Sequence, residues 1–245
     1  MRSNPVEYDV ELVAAITAPY KTEKLRVWLP IPPSNFGQEV LATEVSSFPD
    51  SVQPQMATES VFGNKFAYFE FAKPQGAQLI RHKLRIRVFE LRWNLDPTRI
   101  SKVEQWPASF DRYRRSESQA VVVDQRFTDL LQQLATQPSN SLNNFNQVLS
   151  WVHDNFTYDH ANASLQASSL HGLEKRRGHC SDYHGFCAAM GRALGHPTRI
   201  TYGINPFPKA SPSHCKLEAF FAPLGWISFD VSETQKMCTQ IQDSG

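Results

Sequence analysis

The hydrophobic pattern changes period part-way along the chain, and that change constrains the fold more than any other feature. Over residues 5–95 apolar side chains recur at every second position. Val6, Tyr8, Val10 and Leu12 form one set, Leu25, Val27, Leu29 and Ile31 another, and Leu84, Ile86 and Val88 alternate with Arg85 and Arg87. Period two turns one face of an extended segment inward and the other outward. Proline and glycine interrupt the runs at Pro30–Pro33, Pro49, Gly63 and Pro74–Gly76, where turns are expected. The pattern predicts an antiparallel β-sandwich over residues 1–100.

Past residue 120 the spacing becomes helical. Phe127, Leu130, Leu131 and Leu134 follow i, i+3, i+4, i+7, and Leu142, Phe145, Val148, Leu149 and Val152 repeat it, with Ser141 placed as N-cap. A third helix is predicted from Cys180 to Leu194, preceded by Gly178 and stopped by Gly195 and Pro197. Strand-like runs follow at Arg199–Tyr202, Lys216–Phe221 and Trp226–Asp230, with a turn at Gly225. The expected class is therefore α+β, with helices packed on a small antiparallel sheet over 121–245. Residues 101–120, with Trp106-Pro107 and the charged run Asp111–Arg115, read as a linker or a strap.

Composition removes several function classes. With 25 basic and 24 acidic residues the net charge is +1, which gives no drive toward nucleic acid or an anionic membrane. No apolar run is long enough to cross a bilayer and the N-terminus lacks a signal-peptide pattern, so a cytoplasmic location is expected. Four cysteines in 245 residues are too few for a disulfide scaffold and read as free thiols.

One of those thiols stands where it can be activated. Cysteine attacks as the thiolate, and a helix N-terminus favours that anion through its unpaired N–H groups and dipole. Cys180 opens a predicted helix. It then needs a base and a group to orient the base. His214 begins one strand and Asp230 ends the next across Gly225, so both lie at the open end of one hairpin. In register they would be cross-strand neighbours about 5 Å apart at Cβ.

The segment Gly178-His179-Cys180-Ser181-Asp182-Tyr183, followed by Arg192-Ala193-Leu194-Gly195-His196-Pro197-Thr198-Arg199 and Gly203, resembles the core of bacterial transglutaminase-like proteins. His214, Gly225-Trp226 and Asp230 are similar to the family's later histidine, Gly-Trp pair and aspartate. The likeness spans roughly residues 140–235, and the Val-Trp-Leu-Pro-Ile-Pro stretch is similar to the β-domain that often precedes such a core. The resemblance implies a papain-like thiol fold, a Cys180-His214-Asp230 triad and acyl transfer on a peptide or protein amide without cofactor or metal. Hydrolysis is favoured over crosslinking because no calcium loop or amine site is marked.

The same resemblance points to departures. His184 replaces a small residue one turn after Cys180, Cys215 follows the base in place of an aromatic, and the chain runs only 15 residues past Asp230, a short or trimmed tail. Asp182 is read as structural support for the helix start, and His184 as structural. Trp226 is placed under the sheet, shielding the His–Asp pair. Tyr158 and Gln166 are candidates for a second oxyanion donor, and Lys175, Arg176 and Arg177 form a solvated basic loop. Two other readings stand beside the enzyme. One is a catalytically silent binding module on the same fold. The other is a zinc site built from Cys180, His184, Cys187, His214 and Cys215.

Overall fold

The computed structural model describes residues 1–134, 141–164, 166–205 and 213–243, without the side chains of Ser141, Gln242 and Asp243. The chain divides into two compact units, Met1–Trp93 and Asn94–Gly245. The Ser141 side chain, expected to cap a helix, lies outside the described residues.

The first unit holds six strands: β1 (Arg2–Thr17), β2 (Lys24–Ile31), β3 (Gln38–Phe48), β4 (Gln55–Thr58), β5 (Lys65–Ala72) and β6 (Ala77–Leu91). They form two antiparallel sheets of three strands, ordered β1-β6-β3 and β2-β5-β4. Ile31, Ala67, Phe69, Phe71 and Ile80 make a buried cluster, with Ile16, Leu25, Val27 and Val45 packed against it. Both sheets contribute to that cluster. The opposite face of β6 carries alternating arginines paired across to β1, Arg81 with Glu11, Arg85 with Asp9 and Arg87 with Glu7, the opposite-charge neighbours that favour this register.

The second unit contains α1 (Gln125–Gln133), α2 (Ser141–Asn155), β7 (Thr157–Tyr158), α3 (Ser169–Lys175), β8 (Arg177–Gly178), α4 (Cys180–Ala193), β9 (Thr198–Ile204), β10 (Ser213–Phe221), β11 (Gly225–Phe229) and α5 (Val231–Asp243). Strands β11-β10-β9 form an antiparallel sheet. Helix α4 packs on β10 and β9 and is ringed by the other helices. Every residue from Ser181 to Arg192 is buried. The apolar stripes of α1 and α2 reach it through ring contacts, Phe127 and Trp151 against Phe186, while Phe145 meets Phe221 of β10.

The division at Trp93/Asn94 falls seven residues before the expected boundary at 100. Residues 94–120 are part of the second unit. The Ser101 N–H donates to the Ala222 carbonyl (2.8 Å), Trp106 packs edge-on to Phe220 and His196, Phe110 stacks on Trp226 and Tyr113 meets that ring edge-on. Aromatic side chains thus fasten this stretch along the sheet as a strap.

Candidate active site

Helix α4 begins from a sharply constrained turn. The short parallel pair β7–β8 brings Tyr158 alongside Gly178. Gly178 adopts φ +148°, and a Cβ there would stand 2.2 Å from Asp182 Oδ2. Only glycine lets the carboxylate in so close. Asp182, the third residue of α4, is fully buried and its Oδ2 accepts the N–H groups of His179 (3.1 Å) and Ser164 (3.2 Å). His179 is the N-cap residue in extended conformation, so Asp182 supplies one half of a capping box. Burial raises the Asp182 carboxyl above its ordinary range. This turn leaves Cys180 as the first residue of the helix, half-buried at the N-terminal end of the dipole.

The sheet places an imidazole on the same cleft. His214 Nε2 lies 2.8 Å from Asp230 Oδ2, which leaves Nδ1 available to the cleft that His214 and Cys180 both line. Asp230 is not the last residue of β11. It stands just before α5, where its Oδ1 accepts the Glu233 N–H (3.4 Å) and its carbonyl accepts the Thr234 N–H (3.0 Å), the position of an N-cap. The carboxylate therefore starts a helix with one oxygen and holds the imidazole with the other. Lys216 Nζ lies 3.8 Å from Oδ2.

The thiol is strongly perturbed. A hydrogen bond from the Cys215 side chain brings Cys180 down to about 5; burial opposes this, while the Cys215 backbone N–H and the His214 imidazole add to the lowering. Cys215 itself is 2% exposed and is pushed well above the ordinary thiol range by the same hydrogen bond and by burial. Cys180 and His214 line an open cleft of about 510 Å³ whose walls include Tyr158, Tyr202, Glu233 and Lys236. Such concavity with a perturbed nucleophile marks a candidate reaction site.

The other expected residues are distributed as follows. Tyr158 lines the cleft, with Lys236 Nζ 3.6 Å from its ring centre. Gln166 is exposed and is not among the cleft walls. His184 is fully buried behind the site rather than crowding it. Trp226 is paired with Phe220 at the far end of the hairpin, beneath Phe110 and Tyr113 and with the Arg199 guanidinium 4.2 Å from its ring centre. It packs under the strap, four residues along the chain from Asp230, instead of shielding the His–Asp pair. Arg176 and Arg177 are exposed, Arg177 facing Asp159 at 3.7 Å. Cys187 is fully buried, its thiol raised by desolvation. Among the described residues no group of three or more His, Cys, Asp or Glu side chains is arranged to hold a metal ion, and no helix is long and apolar enough to cross a membrane.

Glu233 and Lys236 were not anticipated, because α5 was not. The spacing Asp230-Val231-Ser232-Glu233 is itself a helix-start signature, a capping residue with an acid three positions on.

Comparison with known proteins agrees with this architecture. Residues 128–231 match the family model described as the transglutaminase-like superfamily. No curated protein matches the chain. A solved structure of a candidate cysteine protease from Cytophaga hutchinsonii is similar with a TM-score of 0.73 at 16% identity, covering 94% of this chain and 78% of that one. The periplasmic domain of TgpA from Pseudomonas aeruginosa aligns with a TM-score of 0.43 at 15% identity, covering 88% and 72%. The first of these likenesses is one of fold, a mixed α/β chain with small antiparallel sheets. The span that matches the transglutaminase-like superfamily model contains Cys180, His214 and Asp230.

Proposed function

We propose that the protein is a cysteine enzyme that cleaves or transfers the acyl group of a peptide or protein amide through a Cys180-His214-Asp230 triad. The observation that carries this reading is one cleft lined by both Cys180 and His214, with the imidazole held by the Asp230 carboxylate at 2.8 Å; the thiol there is lowered to about 5. Three groups so linked are what acyl transfer through a thioester requires.

In the proposed cycle the Cys180 proton passes to His214, and the thiolate attacks the amide carbonyl. The Cys180 N–H, which as the first of the helix has no intrahelical acceptor, faces the developing oxyanion. Tyr158 stands on the cleft wall as a candidate second donor. His214 then protonates the departing amine, leaving a thioester on Cys180. Water, deprotonated by the same imidazole, releases the acid. Asp230 keeps the proton of the neutral imidazole on Nε2, so that Nδ1 can accept. Hydrolysis is favoured over crosslinking because no residue of the cleft singles out a second amine. The two sheets of Met1–Trp93 share one apolar cluster, which supports reading that unit as a β-sandwich accompanying the catalytic core.

The test is hydrolysis of a fluorogenic peptide-amide library by wild type and Cys180→Ala, with intact-mass detection of the acyl-enzyme. Turnover and a mass increment that maps to Cys180, both lost in the variant, are the expected result. Turnover that survives Cys180→Ala, or a Cys180 that alkylates no faster than Cys238, would favour the silent binding module instead.

A further inference from the structure

Behind the nucleophile lies a second hydrogen-bond line that the triad does not use. The Val231 N–H donates to His184 Nε2 at 3.0 Å, and His184 Nδ1 lies 3.4 Å from Cys215 Sγ. His184 is 0% exposed and Cys215 2%. A backbone N–H can only donate, so Nε2 must be an acceptor and carry no proton. The proton of the neutral ring therefore sits on Nδ1 and points at the Cys215 sulfur. That sulfur, already accepting, has its own S–H left to give; Cys215 and Cys180 line the same cleft, and each thiol is perturbed by the other.

We infer that Cys215 is a positioning residue for the nucleophile: its S–H, oriented by His184, donates to the Cys180 thiolate. The inference deepens the acyl-transfer reading of the same site. The line is uncharged from end to end. Desolvation keeps the His184 ring neutral, down at about 4, which preserves its acceptor nitrogen for Val231. A donated proton stabilises the thiolate more than the thiol or the thioester. It therefore favours the anion both before attack and as the leaving group when the thioester is resolved.

Other groups around the sulfur differ in kind. Cationic or potentially cationic ones are His214 and Lys216 on β10, His160 and His179 in the turns before α4, and Lys236 on α5. Acidic or phenolic ones are Asp182 on α4, Asp230, Glu233 on α5, Tyr158 on β7 and Tyr202 on β9. Their influence changes with pH and salt, whereas that of an S–H donor on a buried strand does not.

The experiment is the pH profile of Cys180 alkylation by iodoacetamide, read by peptide mass spectrometry, in wild type, Cys215→Ala, Cys215→Ser and His214→Ala. Cys215→Val replaces the alanine variant if that fails to fold. At pH 6, Cys215→Ala or Cys215→Val should react about tenfold more slowly than wild type, the drop that a shift of about two pH units in the thiolate midpoint produces from a start of about 5. The serine hydroxyl should restore the rate to within about threefold, because it also donates. His214→Ala should retain more of the pH 6 rate than Cys215→Ala. A Cys215→Ala profile within about twofold of wild type, or a serine variant no better than alanine, would overturn the role. Peptide-amide turnover is measured in parallel. Cys215-dependent alkylation without turnover sinks the acyl-transfer reading and leaves this inference standing. Turnover with a Cys215-independent profile does the opposite.

Discussion

His214 and Asp230 meet diagonally across the β10–β11 hairpin. The register pairs Leu217 with Phe229, which on extension sets Asp230 opposite Lys216, two residues from His214. Diagonal neighbours are about 7–8 Å apart, within reach of a long or aromatic side chain. The imidazole spans that gap to make the 2.8 Å bond, and Lys216, the residue directly opposite, is left at 3.8 Å. Asp230 can serve His214 in this way because it has already left the strand to start α5.

The double duty of Asp230 makes its roles separable. Asparagine caps a helix about as well as aspartate, so Asp230→Asn should leave thermal stability nearly unchanged. It should nonetheless reduce kcat by on the order of 10²–10⁴, because the amide can stabilise the wrong imidazole tautomer. Asp230→Ala should add a stability loss of about 1 kcal/mol. Steady-state kinetics beside thermal melts checks both; a stable asparagine variant with full kcat would remove Asp230 from the triad.

Gly178→Ala should damage the nucleophile without touching it. The added methyl would lie 2.2 Å from Asp182 Oδ2 at φ +148°, and the buried carboxyl can move only by giving up the N–H groups of His179 and Ser164. A cost of roughly 2–4 kcal/mol is expected, together with slower alkylation of Cys180. Denaturant unfolding and the alkylation rate measure the two effects, and a melt unchanged from wild type would show that the turn can relax.

The strap should matter to stability and little to chemistry. Arg192, at the end of α4, is 2% exposed in its side chain and donates to Glu117 (2.7 Å), the Arg115 carbonyl (2.9 Å) and the Thr198 carbonyl (3.2 Å). Arg192→Met should cost about 3 kcal/mol, since it strands two carbonyls and a carboxylate. Thermal melts should show the loss while residual kcat, measured well below the melt, stays within about threefold of wild type.

Stability should fall on the acidic side. Burial holds His184 and His196 down at about 4, against roughly 6.5 for an exposed imidazole. Between those values the unfolded chain binds protons that the folded chain refuses. The contribution is therefore complete above pH 6.5 and is lost as pH falls toward 4, by up to roughly 3 kcal/mol per residue. Urea midpoints taken between pH 7.5 and 4.5 should decline across this window; a flat profile would mean that both rings are charged inside the fold.

Much of this arrangement was legible in the sequence because it rests on local rules. Period two marked the strands before residue 95, period 3.6 marked α1 and α2, and Gly178 ahead of Cys180 marked the start of α4. The linked motifs picked out Cys180, His214 and Asp230 together. What escaped depends on spatial coincidence. Register alone makes the His–Asp contact diagonal. The strap is held by aromatic contacts between residues more than a hundred positions apart, Phe110 edge-on to Phe220 for example. The part played by His184 and Cys215 turns on which ring nitrogen meets the Val231 N–H, information that no one-dimensional pattern contains. Helix α5 is signalled only by the Asp230–Glu233 spacing, and an aspartate that closes a strand accounts for Asp230 equally well in one dimension.

The burial of α4 from Ser181 to Arg192 also sets a hierarchy of motion. Its amides, enclosed by four helices and the sheet, should exchange with deuterated solvent only when the whole unit opens, while those of the more exposed α5 exchange through smaller, local openings. The cleft therefore pairs a wall that stays put with one that breathes. The turns of α4 behind Cys180 keep their place through fluctuations short of unfolding, and changes in the shape of the cleft fall to the side that carries Glu233 and Lys236.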